Sequence, residues 1–411
     1  MVKIYAASQT PRIYGSGAGT LDITPFLLFD ETLPAIASPT TLGYGEHVEL
    51  TSPVTVGLPS PRKGAKLVIR NMSGDYSSVA AGAILYKGST YTSLDFDTNT
   101  VALLKVVDGV WTASFVTESF APIVATGGTV TEFTDPETGI TYRVHSFTSV
   151  GSSTFTVSSL GNTSGEVEYL VVAGGGGGSM GGGGAGGYRC SVAGEFSGGG
   201  QSAETPLILP IGTISVLVGD GGEPGLNARN YAGQDGEDST LHNIISQGGG
   251  GGGAYGDGGA AVRFGRNGGS GGGGGGLYTN QANAAGGTGA TGQGLGGGRS
   301  SGTVNDLAGG GGGAAEAGYN GSGTALNGKG GDGVESFIDG TATYRAGGGG
   351  GGKLFGTITF GGLGGGGDQF QPGGNNTGGG GGGTNGVGST RGLGKKGGSG
   401  IIIVRYAIAY P

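Results

Sequence analysis

The sequence predicts an all-β protein in which small β modules precede a β-framed, glycine-rich sandwich built on polyglycine-II helices, with essentially no α-helix. Three observations predict this. Glycine and proline supply 107 and 14 of 411 residues, about 29% together, a level at which composition alone suggests low complexity. Apolar residues come in short runs bounded by turn residues, the pattern of strands. The glycine is also uneven, with 17 in residues 1–170 and 90 in 171–411. Long stretches of helix formers are missing, which argues against Rossmann enzymes, TIM barrels, helical bundles and coiled coils. Collagen is excluded because the glycines form runs and do not recur at every third position.

Residues 1–40 carry scattered turn residues around Phe26-Leu27-Leu28-Phe29 and read as an extended arm or attachment segment. Residues 41–120 read as a small β domain. Its strand signals are Val54 and Val56, Leu67-Val68-Ile69, Ile84-Leu85-Tyr86 and Val101 to Val107, with turns at Ser73-Gly74-Asp75 and Lys87-Gly88-Ser89. An Asp108-Gly109 step before Val110 to Phe115 reads as a hairpin. Asp95, Asp97 and Asn99 have the spacing of the first ligands of a calcium loop, but Thr100 and Val106 stand where Gly and Glu are needed.

Residues 121–173 read as a linker followed by strands that frame the C-terminal domain. Thr141 to Phe147, Ser153 to Val157 and, further on, Ile214, Val216 and Val218 alternate as half-buried strands do. Tyr169-Leu170-Val171-Val172-Ala173 and Ile401-Ile402-Ile403-Val404 are continuously apolar, which suits strands buried on both faces. One enters the first glycine run and the other follows the last, so the two are expected to be neighbours in one sheet. The glycine-rich domain, 174–411, is then an excursion pinned at both ends. Within it Asp235 to Ser239 and Asp332 to Ser336 resemble each other, and each leads through apolar residues to a glycine run. This is an internal repeat of strand-like returns feeding glycine rods.

Ordering a glycine costs more backbone entropy than ordering any other residue, at about 1–2 kcal/mol each. The runs are therefore either flexible linkers or rods whose backbones bond to one another. A polyglycine-II rod has three residues per turn and no internal hydrogen bonds, so its N–H and C=O groups all point outward. Rods packed side by side satisfy these groups mutually, and only a hydrogen at each Cα permits the approach. The similar run lengths, the recurring spacers and the closing Ile-Ile-Ile-Val strand favour packed rods over linkers, which usually mix in serine.

The net charge of −8 and the sequence pI near 4.9 argue against nucleic acid as a partner. A single cysteine, Cys190, cannot form an intrachain disulfide and reads as a small buried side chain. The N-terminal residues lack the apolar stretch of a signal peptide, and no uncharged apolar run reaches 18 residues, so neither a signal peptide nor a membrane span is expected. No enzyme activity, metal or cofactor is expected either. Ser270 and Ser300 satisfy G-x-S-x-G through glycine abundance alone, without a strand before them or a helix after. The glycines before Lys353 lack the Ser or Thr of a P-loop, since Leu354 follows. His47, His145 and His242 lie far apart in sequence, and His145 reads as a satisfied histidine within a strand. Gly233 to Thr240 and Gly330 to Phe337 faintly match calcium nonapeptides but are not in tandem.

The stretch from Val167 through Gly174–Gly178, then Gly181 to Tyr188, and the ending Gly397 to Tyr406 resemble the glycine-rich domain common in bacteriophage tail-fibre and adhesin proteins. The resemblance covers about residues 140–408. It implies a virion protein, made in the host cytoplasm, whose loops between glycine rods recognise a host cell-surface receptor, either an outer-membrane protein or a polysaccharide. It further implies a homotrimer that contacts other virion or tail proteins; residues 1–40 lie outside the resemblance, and the role of virion attachment segment expected of them rests on their own residues. The spacers supply the receptor-binding candidates: Tyr255, Arg263 and Phe264; Tyr278, Asn280 and Gln281; Phe355 and Phe360; and Phe370. Aromatic and Arg side chains dominate interface energetics. The alternative role for each is packing against the sides of the rods. At the level of the whole protein, the alternative is a head or tail decoration protein without receptor contact. An ice-binding role is disfavoured, because it calls for regular Gly-x-x triplets.

Overall fold

The computed structural model describes residues 120–226, 230–256, 260–276, 283–301, 307–321, 327–353, 358–385 and 393–410, and within residues 1–119 the strands given below and Leu58. The chain divides into two compact units, 1–120 and 121–411.

The first unit is a nine-stranded sheet. Its strands are β1 (Val2–Tyr5), β2 (Ala35–Ile36), β3 (His47–Leu50), β4 (Thr55–Gly57), β5 (Lys66–Asn71), β6 (Ser77–Tyr86), β7 (Ser89–Phe96), β8 (Thr100–Val107) and β9 (Val110–Thr117). The order is β2-β1-β3-β5-β8-β9-β6-β4, with β7 paired to β6. Two hairpins follow the turn residues: Tyr86 faces Ser89 and Val107 faces Val110, each across two intervening residues. Pairing of β1 with β3 brings part of the expected arm, residues 1–40, into this sheet. Leu58, Leu104 and Trp111 are buried in this unit.

In the second unit the strands are β10 (Val124–Thr126), β11 (Thr129–Thr134), β12 (Thr141–Phe147), β13 (Gly151–Ser159), β14 (Glu166–Val172), β15 (Tyr188–Cys190), β16 (Leu207–Ile208), β17 (Gly212–Val218), β18 (Ser239–Leu241), β19 (Ile244–Ser246), β20 (Val334–Ser336), β21 (Thr343–Arg345) and β22 (Ile401–Ala409). A five-stranded sheet, β10-β13-β17-β18-β19, packs against a six-stranded sheet, β11-β12-β22-β14-β15 with β16 on β14. Between them Phe147, Phe155, Tyr169, Ile214, Leu241, Ile402 and Val404 form one apolar core. Full burial of each such side chain contributes about 1.5–3 kcal/mol.

The two continuously apolar segments are antiparallel neighbours, with Tyr169 opposite Val404 and Val172 opposite Ile401. Both faces of this pair are covered. Tyr169, Val171, Ile402 and Val404 point into the sandwich, while Leu170, Val172, Ile401 and Ile403 join Val144, Ala185, Tyr188 and Val334 on the other side. The internal repeat is also structural. β18–β19 and β20–β21 are each a hairpin that descends from one glycine rod and returns into another.

His145 lies within the sandwich, fully buried, its Nδ1 donating to Gly127 O at 2.8 Å and its Nε2 accepting from the Tyr406 hydroxyl at 3.0 Å. Burial lowers its proton affinity against the opposing effect of the Gly127 bond. The ring therefore stays neutral in the fold while the unfolded chain binds a proton below about pH 6.5. Stability is complete above that pH and falls as the pH drops through it. In thermal melts between pH 7.5 and 5, the wild type is expected to lose melting temperature below pH 6.5. His145→Gln should show a flatter profile.

Candidate functional site

From β14 the chain enters rod 174–178, reverses at Ser179-Met180 and returns as rod 181–187. That second rod is the axis of a hexagonal lattice. Its N–H groups donate in three directions: Gly181 and Gly184 to Gly253 and Gly250, Gly182 and Ala185 to Gly309 and Gly312, and Gly183 and Gly186 to Gly381 and Gly378. Its carbonyls accept from three more: Gly182 and Ala185 from Gly273 and Ser270, Gly183 from Gly349, and Gly184 from Gly176. Every donor direction recurs after three residues, the repeat of the polyglycine-II helix. The six neighbours also bond to one another in a ring, in the order 174–178, 248–255, 270–276, 307–313, 346–352 and 378–384.

Where the lattice ends sideways, a side-chain oxygen takes the place of the missing rod. Asp235 Oδ1 accepts from Gly251 N at 2.9 Å and Asp238 Oδ1 from Gly248 N at 2.8 Å, one rod turn apart. Asn267 does the same for Thr288, Asn320 for Arg299, Asp332 for Leu363 and Asp368 for Gly361. Removing such an acceptor leaves a backbone donor unpaired, and Gly248 is buried. Asp238→Ala is expected to lower stability by about 1–3 kcal/mol, whereas Asp238→Asn, which keeps the oxygen, should stay close to wild type in chemical denaturation.

The rods alternate in direction, so the lattice has two unlike ends. At one end are the sheets: Ala173 N bonds Gly187 O and Gly400 N bonds Gly219 O. At the other end Met180 N bonds Gly253 O, Gly352 N bonds Met180 O, Thr384 N bonds Ser179 O, Gly178 N bonds Lys395 O and Ser179 Oγ bonds Tyr231 O. Segments 227–229, 257–259, 277–282, 302–306, 322–326, 354–357 and 386–392 lie outside the described residues, and each is flanked by residues at this second level.

The predicted site residues fare differently here. Tyr278, Asn280, Gln281 and Phe355 lie outside the described residues. Tyr255 is buried, packing with Met180 and Ala308 over the end of the axis, so its ring plugs the lattice and does not face solvent. Arg263 is buried too. Phe264, Phe360 and Phe370 are exposed. They do not form one patch: Phe264 lies beyond rods 248–255 and 270–276, while Phe360 and Phe370 lie beyond 346–352 and 378–384, across the ring.

The second of these places inverts the usual pattern. Ile358 and Phe360 are 46% and 60% exposed while Thr359 between them is 6% exposed, and Phe370 is 36% exposed while Gln369 before it is 3% exposed. Thr359 Oγ1 donates to Gly351 O, Gln369 Nε2 donates to Lys353 O at 3.0 Å, and Gln369 N donates to Thr359 O at 2.9 Å. Phe370 holds a left-handed φ of 71°, a conformation costing about 1–2 kcal/mol for a residue with a side chain. Buried polar groups beside exposed apolar ones are the informative case, and strained backbone clusters at ligand-contacting sites. Ile358, Leu226, Tyr231 and Leu393 are also exposed at this end and were not singled out by the sequence, because an isolated apolar residue beside a glycine run carries no periodic signal.

Other motifs resolve into structure. Ser270 and Ser300 are buried in the rods, and Ser300 Oγ accepts from Ala284 N. Cys190 is buried, which pushes its thiol up in pKa. Among the described residues, no helix is long and apolar enough to cross a membrane.

A two-sheet sandwich whose connections are threaded into a lattice of polyglycine-II rods defines a class of glycine-rich scaffold. Residues 148–407 match the glycine-rich domain family, and the chain belongs to it. A search of curated proteins found no match.

Proposed function

We propose that the chain is a non-enzymatic virion protein, a phage tail fibre or receptor-binding adhesin. Its glycine lattice presents recognition segments to a host cell-surface receptor, an outer-membrane protein or a polysaccharide. The observation that carries this reading is that the lattice has unlike ends: the strands gather at one, and Phe264, Phe360 and Phe370 stand exposed at the other. Rods bonded to one another hold these exposed side chains in place before contact, which reduces the ordering cost of binding. The apolar residues exposed around Phe360 and Phe370 supply the kind of side chain that anchors an interface. The nine-stranded N-terminal unit serves attachment and assembly, and the working assembly is a homotrimer.

The test is adsorption of purified, fluorescently labelled protein to cells of the bacterium that the virion infects. Substitutions confined to the far end should remove binding and leave melting unchanged. Adsorption unaffected by every such substitution would replace the adhesin reading with that of a decoration protein.

A further inference from the structure

Arg263 stands apart from the other buried cations of the second unit. Arg345 pairs with Asp339 at 2.7 Å and Arg405 with Glu168 at 2.6 Å. Arg263 is 7% exposed, its Nε and Nη1 are fully buried, and neither has a hydrogen-bond partner among the described residues. Its position is nonetheless held firmly. The residue closes a 3-10 turn, Ala260–Arg263, whose Val262 O accepts from Ala254 N at 2.8 Å, and Arg263 O accepts from Gly275 N at 2.8 Å. Its aliphatic stem lies against Gly256, where a Cβ would come within 2.5 Å of Arg263 Cδ and where φ is +116°. Only glycine there lets the stem pass. Two guanidinium nitrogens withdrawn from water with no counter-charge among the described residues are unfavourable, and a rigid backbone that holds them so points to a partner supplied from outside.

We propose that Arg263 is an anion-binding residue at the far end of the lattice, taking a carboxylate or phosphate group of the receptor in a charge-assisted contact at Nη2, the guanidinium nitrogen that is not among the buried, unpartnered atoms. The guanidinium keeps its charge at every working pH and is more weakly hydrated than an ammonium, which suits it to a half-buried anion contact. Exposed Phe264 adjoins it in the chain and gives the same place an apolar contact. This deepens the adhesin reading, on which it depends for the source of the anion. Among cell-surface polysaccharides, those carrying uronic acids or phosphodiesters have the required chemistry.

The experiment uses the full chain as wild type, Arg263→Met and Arg263→Lys, with sodium galacturonate and inorganic phosphate as probes and glucose as the neutral control. Melting temperature and calorimetric binding are read for each. The wild type is expected to bind at least one anion saturably and to melt higher in its presence. Arg263→Met should bind about thirtyfold more weakly or worse, as for loss of one partner of a buried charge pair. It should also melt no lower than wild type without anion, and Arg263→Lys should recover part of the affinity. A response to galacturonate alone assigns a uronic-acid source, and one to phosphate alone a phosphodiester source. Equal anion responses in wild type and Arg263→Met, or no saturable response, overturn the proposal. So does a lower melting point of Arg263→Met without anion, since it would mean that the chain itself neutralises Arg263. Because these readouts need no cells, anion binding that persists while cell adsorption ignores Arg263→Met would count against the adhesin reading and leave the anion site standing.

Discussion

Gly183→Val is expected to prevent residues 121–411 from folding. A Cβ at Gly183 would come within 2.0 Å of Gly176 O and 3.0 Å of Gly381 N, both backbone atoms of rods bonded on every side. No side-chain rotation relieves a contact with backbone, so rod 174–178 or 378–384 has to move. Either movement breaks bonds that recur every three residues, such as Gly176 N to Gly184 O and Gly183 N to Gly381 O, both 2.8 Å. At about 1 kcal/mol net for each bond and more for each buried donor left unpaired, the loss exceeds about 4 kcal/mol. That is a large part of the 5–15 kcal/mol typical of a whole domain. Gly194 is the control, because it has a φ of +83° and nothing within 4 Å of its Cβ position. Gly194→Ala is expected to cost only about 1–2 kcal/mol. Circular dichroism melts of the soluble fractions compare the two. If Gly183→Val melted like Gly194→Ala, packed rods could not be what holds this unit together.

The second large effect is expected on binding, with stability untouched. Replacing Ile358, Phe360 and Phe370 together by serine should reduce adsorption to host cells about thirtyfold or more, the loss associated with an interface hot spot. The melting temperature should hold, since these side chains face solvent while the adjacent Thr359 and Gln369 make the bonds that fix this edge. Phe370→Gly sharpens the point. It relieves the left-handed strain of a φ of 71° and adds about 0.5–1 kcal/mol of glycine entropy cost, so stability should not fall while the ring is lost from the surface. A variant that bound as tightly as wild type would remove this edge from the recognition face. A variant that melted far lower would show that the three residues serve packing.

Much of this arrangement was legible in residue order because its signals are local. The alternation in Thr141 to Phe147 and in Ile214, Val216 and Val218 marks strands with one buried face, and those strands are present. Unbroken apolar runs at Tyr169 and Ile401 require cover on both faces, and each finds the other. His145 could be read as a core histidine from its strand, although its partner Tyr406 lies 261 residues away. The site was harder to read. Tyr255 and Phe360 are both aromatic residues beside a glycine run, yet one caps the axis of the lattice and the other faces water. Nothing within a few residues of either separates them, because the difference lies in which rod each follows and where that rod sits in the ring.

From residue order alone it follows that the glycine runs within 174–400 pack as rods when they are ordered, and that two apolar strands close the excursion. A run of glycine has one way to satisfy its backbone when ordered, and an unbroken apolar strand has one kind of place to go. It takes the folded unit to make 181–187 the axis, to set Asp235, Asp238 and Asp368 as seals where neighbouring rods are missing, and to bury Arg263 with no partner for Nε and Nη1 among the described residues. Those facts depend on which backbones meet across the ring. Glycine runs are chemically identical, so their packing order is set by the sandwich and by spacer lengths acting over the whole unit.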